Sequence, residues 1–265
     1  MELRRNFPMS HLPFSYEVAG DFIRPFVLGT DDAAGDSLAT LGQFSEMRGH
    51  YWLWRNMKFD SDEFVSTQQY RRAFFWSPLM TLGGNYDGEI MQAAKNLHQQ
   101  IIYMPRQKYI AWLQYLSDAD KEPLNHWLDG VDIVIGRPIE YPVTIAQVYG
   151  QHHRAVDWEI FASECRKQGY DDGNHRMLTG HLMYAMRPYW FNRWMTGWWS
   201  VFGKIAPLLE PVADSYQSRQ IGYLSERFLS AWLIRMRTES PSVRIQTLPI
   251  VESLFQFDRP APGVM

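Results

Sequence analysis

Cysteine is nearly absent from this chain: of 265 residues only Cys165 carries a thiol. A single thiol excludes an intramolecular disulfide and any multi-cysteine metal site, and it fits a reducing compartment with Cys165 as a buried apolar residue. Positive charge is not in excess either. Lys and Arg number 26 against 29 Asp and Glu, giving a formal net charge of −3 and a pI near 6.2, so nothing general draws the chain to nucleic acid. Long apolar runs are also missing. The amino-terminal stretch MELRRNFPMSHLPF lacks the apolar core of a signal peptide, and no segment reaches the ~20 apolar residues that span a bilayer. The expectation is a cytoplasmic protein, soluble or peripheral on the inner face of the membrane. There is no internal repeat, no Gly-rich phosphate loop of either common type, no His-Glu-x-x-His zinc motif and no Gly-x-Ser-x-Gly elbow.

What the chain does have is aromatic weight. Hydrophobic residues make up 46% and charged residues 21%, with 11 Trp, 14 Tyr and 15 Phe, a composition that buries a sizeable core. Pro25–Gly29 reads as a strand running into the polar loop TDDAAGDSLATLG, and Gln43–Asn56 as a helix with Phe44, Met47, Tyr51 and Trp54 on one face. Phe64–Tyr70 and Val131–Ile135 read as strands, and His181–Met186 as a further one. Tyr109–Leu116, Lys121–Leu128, Thr144–Gly150, Asp157–Gln168, Tyr189–Leu209 and Tyr216–Arg237 read as helices. Strands alternating with helices predict an α/β fold with a mixed sheet covered by helices. Residues 1–186 form the α/β core of this expectation, and 187–265 a helical C-terminal part packed on it within one unit.

Two Asp-x-Asp tripeptides would suit a cation on a diphosphate, but neither is well placed. Asp60-Ser61-Asp62 precedes a strand, whereas ligands of open α/β sheets gather beyond strand carboxyl ends; Asp118-Ala119-Asp120 falls between helices, where such residues cap. A divalent metal is therefore not indicated. At the carboxyl end of Phe64–Tyr70 stand Arg71 and Arg72, whose forked, permanently charged donors match phosphate oxygens. Either they stabilise a diphosphate, or one is solvated and the other pairs with a structural carboxylate. Neighbours on a continuing strand alternate faces, so both act together only if the chain turns there. His152, His153 and Asp157 offer acid–base groups, or a helix cap with surface histidines; Ser225-Glu226-Arg227 aims a carboxylate into a cleft or forms an ion pair.

Taken in order, the motifs resemble a bacterial capsular and exopolysaccharide glycosyltransferase family long catalogued as a domain of unknown function. Its members show a Gly-Asp-Asn-Ile-Ser loop, Glu-Leu-Thr before Tyr-Trp-x-Trp-Lys-Asn, a strand ending His-Tyr-Arg-Arg-Tyr-Phe, a strand like Tyr-Asp-Ile-Ile-Leu-Pro, a His-x4-Asp element and a Gly-Phe-Leu-Ser-Glu-Arg helix. Here the corresponding stretches are DDAAGDSLA, EMRGHYWLWRN, QYRRAF, VDIVIGRP, HHRAVD and GYLSERFLSAWL, between about His11 and Leu233. Departures are Gln69 in place of His, Gly42 in place of Asn, and Leu182 in a stretch that usually reads Asn-Met-Phe-Ile-Met.

The resemblance implies a GT-A-like fold and transfer of a hexose, galactofuranose or galactopyranose among the options, from a nucleotide-sugar donor, UDP-linked, to an oligosaccharide or lipid-linked acceptor of a surface polysaccharide, with no cofactor. It implies that Arg71, Arg72, Tyr70 and Gln69, with Asp32 and Asp36, face the donor, and that Asp157, Glu226 or His152 supplies the base. Glu46, Trp52 and Arg227 then serve the acceptor or the structure, Trp52 fitting a core better than a sugar platform. Because Gln69, Gly42 and Leu182 depart from the pattern, a catalytically degenerate glycan- or partner-binding protein of the same fold is the alternative.

Overall fold

The computed structural model describes residues 14–18, 21–26, 33–69, 72–76, 100–118, 122–214 and 216–254. Its frame is a mixed sheet ordered β10-β6-β9-β3-β4-β11-β5, built from Ile245–Leu248 (β10), Ile133–Gly136 (β6), Tyr184–Met186 (β9), Val65–Gln69 (β3), Arg72–Phe74 (β4), Ile250–Leu254 (β11) and Ile101–Pro105 (β5). A hairpin of Phe14–Val18 (β1) and Asp21–Phe26 (β2) joins through β1 to β3, and Ile139–Glu140 (β7) pairs with Met177–Leu178 (β8) in a small second sheet. β9 is antiparallel to both β3 and β6, and β4 is antiparallel to both β3 and β11; β3, β6, β10, β11 and β5 therefore point one way. The ends of β3, β6, β10 and β11 and the starts of β4 and β9 thus share one edge.

Side chains alternate across the sheet and define two cores. Val65, Ile133, Ile135, Tyr184 and Met186 point to the face covered by Met47–Asn56 (α1), Ala155–Lys167 (α5), Pro188–Ile205 (α6) and Gln220–Glu239 (α7). Val134, Met183 and Ala185 point to the opposite face, which is packed with Tyr109, Trp112 and Leu116 of Arg106–Asp118 (α2) and Leu124 of Glu122–Leu128 (α3). Helix α6 starts with Pro188 at its first position, where the missing N–H costs nothing, and buries Trp190, Trp194 and Trp198 at a spacing of four. Thr144 and Gln147 form a capping box on Ile145–Gly150 (α4).

The expected elements recur with three differences. The helix expected from Gln43 is interrupted: a 3-10 turn, Gly42–Phe44, ends at Ser45, which has φ 49°, and α1 begins only at Met47. The strand expected over His181–Met186 starts at Tyr184, because His181 and Leu182 take positive φ in a 3-10 turn. The part from 187 onward holds α6 and α7, and also returns to the sheet as β10 and β11. Positions 27–29 of the first expected strand, and Asp31 and Asp32 after it, lie outside the described residues. Among the described residues, no helix is long and apolar enough to cross a membrane.

Candidate active site

Among the described residues, the shared carboxyl edge carries a linked set of charged and polar side chains. β3 buries Val65, Ser66 and Thr67 and ends at Gln69, which pairs with Arg72 at the head of β4. β3 and β4 are antiparallel, so Gln69 and Arg72 stand on different strands; Tyr70 and Arg71 lie outside the described residues. Arg72 lies opposite Glu252 of β11 and meets it through both forks, Nε to Oε2 at 2.9 Å and Nη2 to Oε1 at 3.2 Å. Its Nη1 donates to Gln69 Oε1 at 2.6 Å. These contacts leave N–H groups on both Nη atoms of the guanidinium for another acceptor. Gln69 uses its other end as well: Nε2 donates to the His181 carbonyl at 2.7 Å, while Thr67 Oγ1 donates to the Leu182 carbonyl at 3.0 Å. Two β3 side chains thus hold a turn whose residues have φ of 72° and 50°.

That turn faces α7. His181 Nδ1 lies 3.9 Å from Glu226 Oε1, and Glu226 Oε2 accepts from Arg227 Nη1 at 2.7 Å. Burial pushes the Glu226 carboxyl above the ordinary glutamate range, and this outweighs the nearby positive charges of Arg227, Arg72 and Arg219. Arg227 is itself nearly buried, donates to the Tyr223 carbonyl at 2.9 Å and lies over the Tyr149 ring at 5.6 Å. Its Nε has no partner among the described residues.

Immediately before α7, Arg219 donates from Nε to Ser45 Oγ at 2.9 Å and from Nη2 to Glu46 Oε2 at 3.1 Å, and Ser45 Oγ also donates to Glu46. Burial opposes ionisation of Glu46, yet the Arg219 charge and the Ser45 hydroxyl hold its carboxyl below the usual range. Gly222 lets α7 approach this turn: a Cβ there would stand 3.0 Å from Ser45 Cβ. Ser45, His181 and Leu182 are the non-glycine residues with positive φ among the described residues, and all three border this cluster. Backbone held in sparsely populated regions concentrates at working sites.

The remaining sequence-predicted residues lie around it. Asp157 is in the first turn of α5, which begins two residues earlier than expected, so it does not cap the helix. Its carboxyl is buried, accepts from Gln220 Nε2 at 3.1 Å and is pushed up by that burial. His152 is exposed, with its carbonyl accepting from Gln217 Nε2 at 2.9 Å. Asp36 is exposed and fastened to α1 by Arg55 Nε at 2.7 Å and Tyr51 Oη at 3.0 Å, while Trp52 Nε1 donates to the Ala34 carbonyl at 2.7 Å. Asp32 lies outside the described residues. Asp60-Ser61-Asp62 is an exposed turn before β3, at the far edge from Gln69, and Asp118 ends α2 with positions 119–121 outside the described residues. Among the described residues there is no group of three or more His, Cys, Asp or Glu able to hold a metal.

The sequence reading missed Glu252, Arg219 and Ser45. The signal for Glu252 was the β-prone run TLPIVESLF after the last helix. For Arg219 and Ser45 there was none, since both depend on where α7 meets the start of α1.

The mixed α/β fold resembles that of a solved glycosyltransferase. The fold is similar to the apo structure of WbbM, a bifunctional glycosyltransferase, with a TM-score of 0.63 and 15% identity over 84% of this chain and 39% of that chain. The chain thus spans well under half of that protein's length, and at this identity the likeness is one of fold. The family model described as a domain of unknown function, DUF4422, matches residues 24–237, and the chain belongs to that family. No curated protein matches it.

Proposed function

We propose that this protein is a glycosyltransferase that moves a hexose from a nucleotide-sugar donor, UDP-linked, to an oligosaccharide or lipid-linked acceptor in surface-polysaccharide synthesis, working in the cytoplasm or on the inner face of the membrane. The observation that carries the reading is Glu226: a carboxyl raised by burial, between His181 and Arg227, at the same strand edge as Arg72. A base of raised pKa suits removal of a hydroxyl proton near neutral pH. In this scheme Glu226 takes the acceptor hydroxyl proton, the acceptor oxygen bonds to the donor's anomeric carbon, and the bond to the diphosphate breaks. The departing charge is met by Arg72 with its neighbour Arg71, in a manner that needs no Asp-x-Asp carboxylates. Asp157 is less suited because it is buried against Gln220 and beside Arg154, and His152 because it is exposed.

One observation favours the alternative of a glycan-binding protein without transfer: Glu252 already neutralises Arg72. A panel of UDP- and GDP-hexoses separates the two. The enzyme reading expects thermal stabilisation and slow hydrolysis with at least one donor, loss of hydrolysis by about 10²-fold or more in Glu226→Gln with the stabilisation kept, and weaker UDP binding in Arg71→Ala. Its acid limb should sit above that of an ordinary glutamate, because the raised carboxyl must lose its proton to act. No donor stabilisation, with binding of oligosaccharide alone, would establish the alternative.

A further inference from the structure

Beside Glu226 lies an aromatic cluster to which neither the fold nor the charged site assigns a role. His153 stacks on Tyr223 with ring centroids 4.2 Å apart and on Tyr216 at 5.8 Å and an interplanar angle of 14°, while Tyr216 and Tyr223 meet at 5.0 Å. Tyr149 closes the inner side at 4.7 Å from His153. The cluster is tightly held. Asp214 Oδ1 accepts from the backbone N–H of Tyr216 and of Gln217, and Gln217 spans to His153 Nδ1 at 3.2 Å and to the His152 carbonyl. Yet Tyr216 remains 46% exposed. A large ring held by two neighbouring rings and still half exposed has lost conformational freedom without full burial, as a preorganised binding surface does.

Its place decides what it would bind. Tyr223 is three residues before Glu226 on α7 and therefore on the same face, and Arg227 reaches from Glu226 to the Tyr149 ring. The donor diphosphate in the proposed reaction lies at the strand edge with Arg72, so the group next to Glu226 on the helix side belongs to the acceptor. Arg219, over Tyr223 at 5.6 Å, is paired with Glu46, and Arg227 with Glu226, so among the described residues the cations beside these rings already face carboxylates. Flat apolar faces edged with hydroxyls and an amide suit the C–H face and hydroxyl rim of a neutral sugar ring.

We infer that Tyr216, supported by His153 and Tyr223, is an acceptor subsite for a neutral hexopyranose residue of an oligosaccharide, an assignment of the acceptor side that rests on the glycosyltransferase reading. The test is saturation-transfer NMR with methyl β-galactopyranoside and methyl β-glucopyranoside on the wild-type chain, Tyr216→Ala and Tyr216→Phe, with UDP binding measured by calorimetry on all three. The expected result is transfer to at least one glycoside in wild type and Tyr216→Phe, about fivefold to tenfold weaker binding in Tyr216→Ala, and UDP affinity unchanged. Absence of transfer to both glycosides, or transfer undiminished in Tyr216→Ala, overturns the subsite. So does a loss of UDP affinity in Tyr216→Ala, which would place a nucleobase on the ring. Glycoside binding that depends on Tyr216, with no binding of UDP or UDP-hexoses, instead upholds a sugar site and overturns the transferase reading.

Discussion

Gln69 joins Arg72 at the head of β4 to the turn at His181. Its amide accepts from Arg72 and donates to the His181 carbonyl, and only a group that is donor and acceptor at once does both. Through it the chain Glu252, Arg72, Gln69, His181, Glu226 runs from β11 to α7 across the carboxyl edge. Replacing it with leucine strands a half-buried carbonyl and one guanidinium N–H, at a cost of about 1 kcal/mol or more. Gln69→Glu keeps an acceptor for Arg72 and loses the donor to the turn. If Gln69 acts by holding Arg72, Gln69→Leu should weaken UDP binding while Gln69→Glu keeps most of it; equal affinity of wild type and Gln69→Leu in calorimetry would dismiss that role.

At the scale of elements, the contact between α1 and β9 carries a pH dependence. His50 is buried on α1 with Nδ1 2.7 Å from Tyr184 Oη, and burial brings its pKa down to about 4 despite the nearby Glu46 charge. A depressed histidine binds its proton more readily in the unfolded chain. Its contribution is therefore complete above about pH 6.5 and is lost as pH falls toward 4, amounting to about 3 kcal/mol. Glu46, held below its usual range, acts in the same direction at lower pH. Thermal unfolding followed from pH 7.5 to 4.5 should show a falling midpoint in wild type and a flatter course in His50→Gln. Parallel curves for the two would mean that His50 is not the group responsible.

At the scale of the molecule, the last strands tie the chain together. β10 gives β6 its parallel neighbour, and β11 lies between β4 and β5 while supplying Glu252 to Arg72. The helices α6 and α7 are thus enclosed within the chain path of the sheet and do not extend from it. A chain ending at Glu239 should lose near-ultraviolet circular dichroism and elute as an expanded or aggregated species, because β6, β4 and β5 are left with open edges. A compact, cooperatively unfolding product would show that the sheet closes without them.

Most elements were legible because their signals are local. Trp190, Trp194 and Trp198 announce α6 by spacing, Val131–Ile135 announces β6 by its apolar run, and Asp60-Ser61-Asp62 shows by its place before β3 that it stands at the wrong edge. The division at residue 186 did not anticipate β10 and β11, whose partners lie more than a hundred residues earlier in the chain for β6 and about 180 for Arg72. Sequence alone determined the class of fold, the motifs of the family and the pairing of arginine with a strand's end, since each rests on neighbours in the chain. Only the tertiary structure decided that Gln69 bridges Arg72 to a strained turn, that Glu226 is raised by burial, and that Arg219 meets Glu46, because burial and opposed charges arise only where distant segments pack.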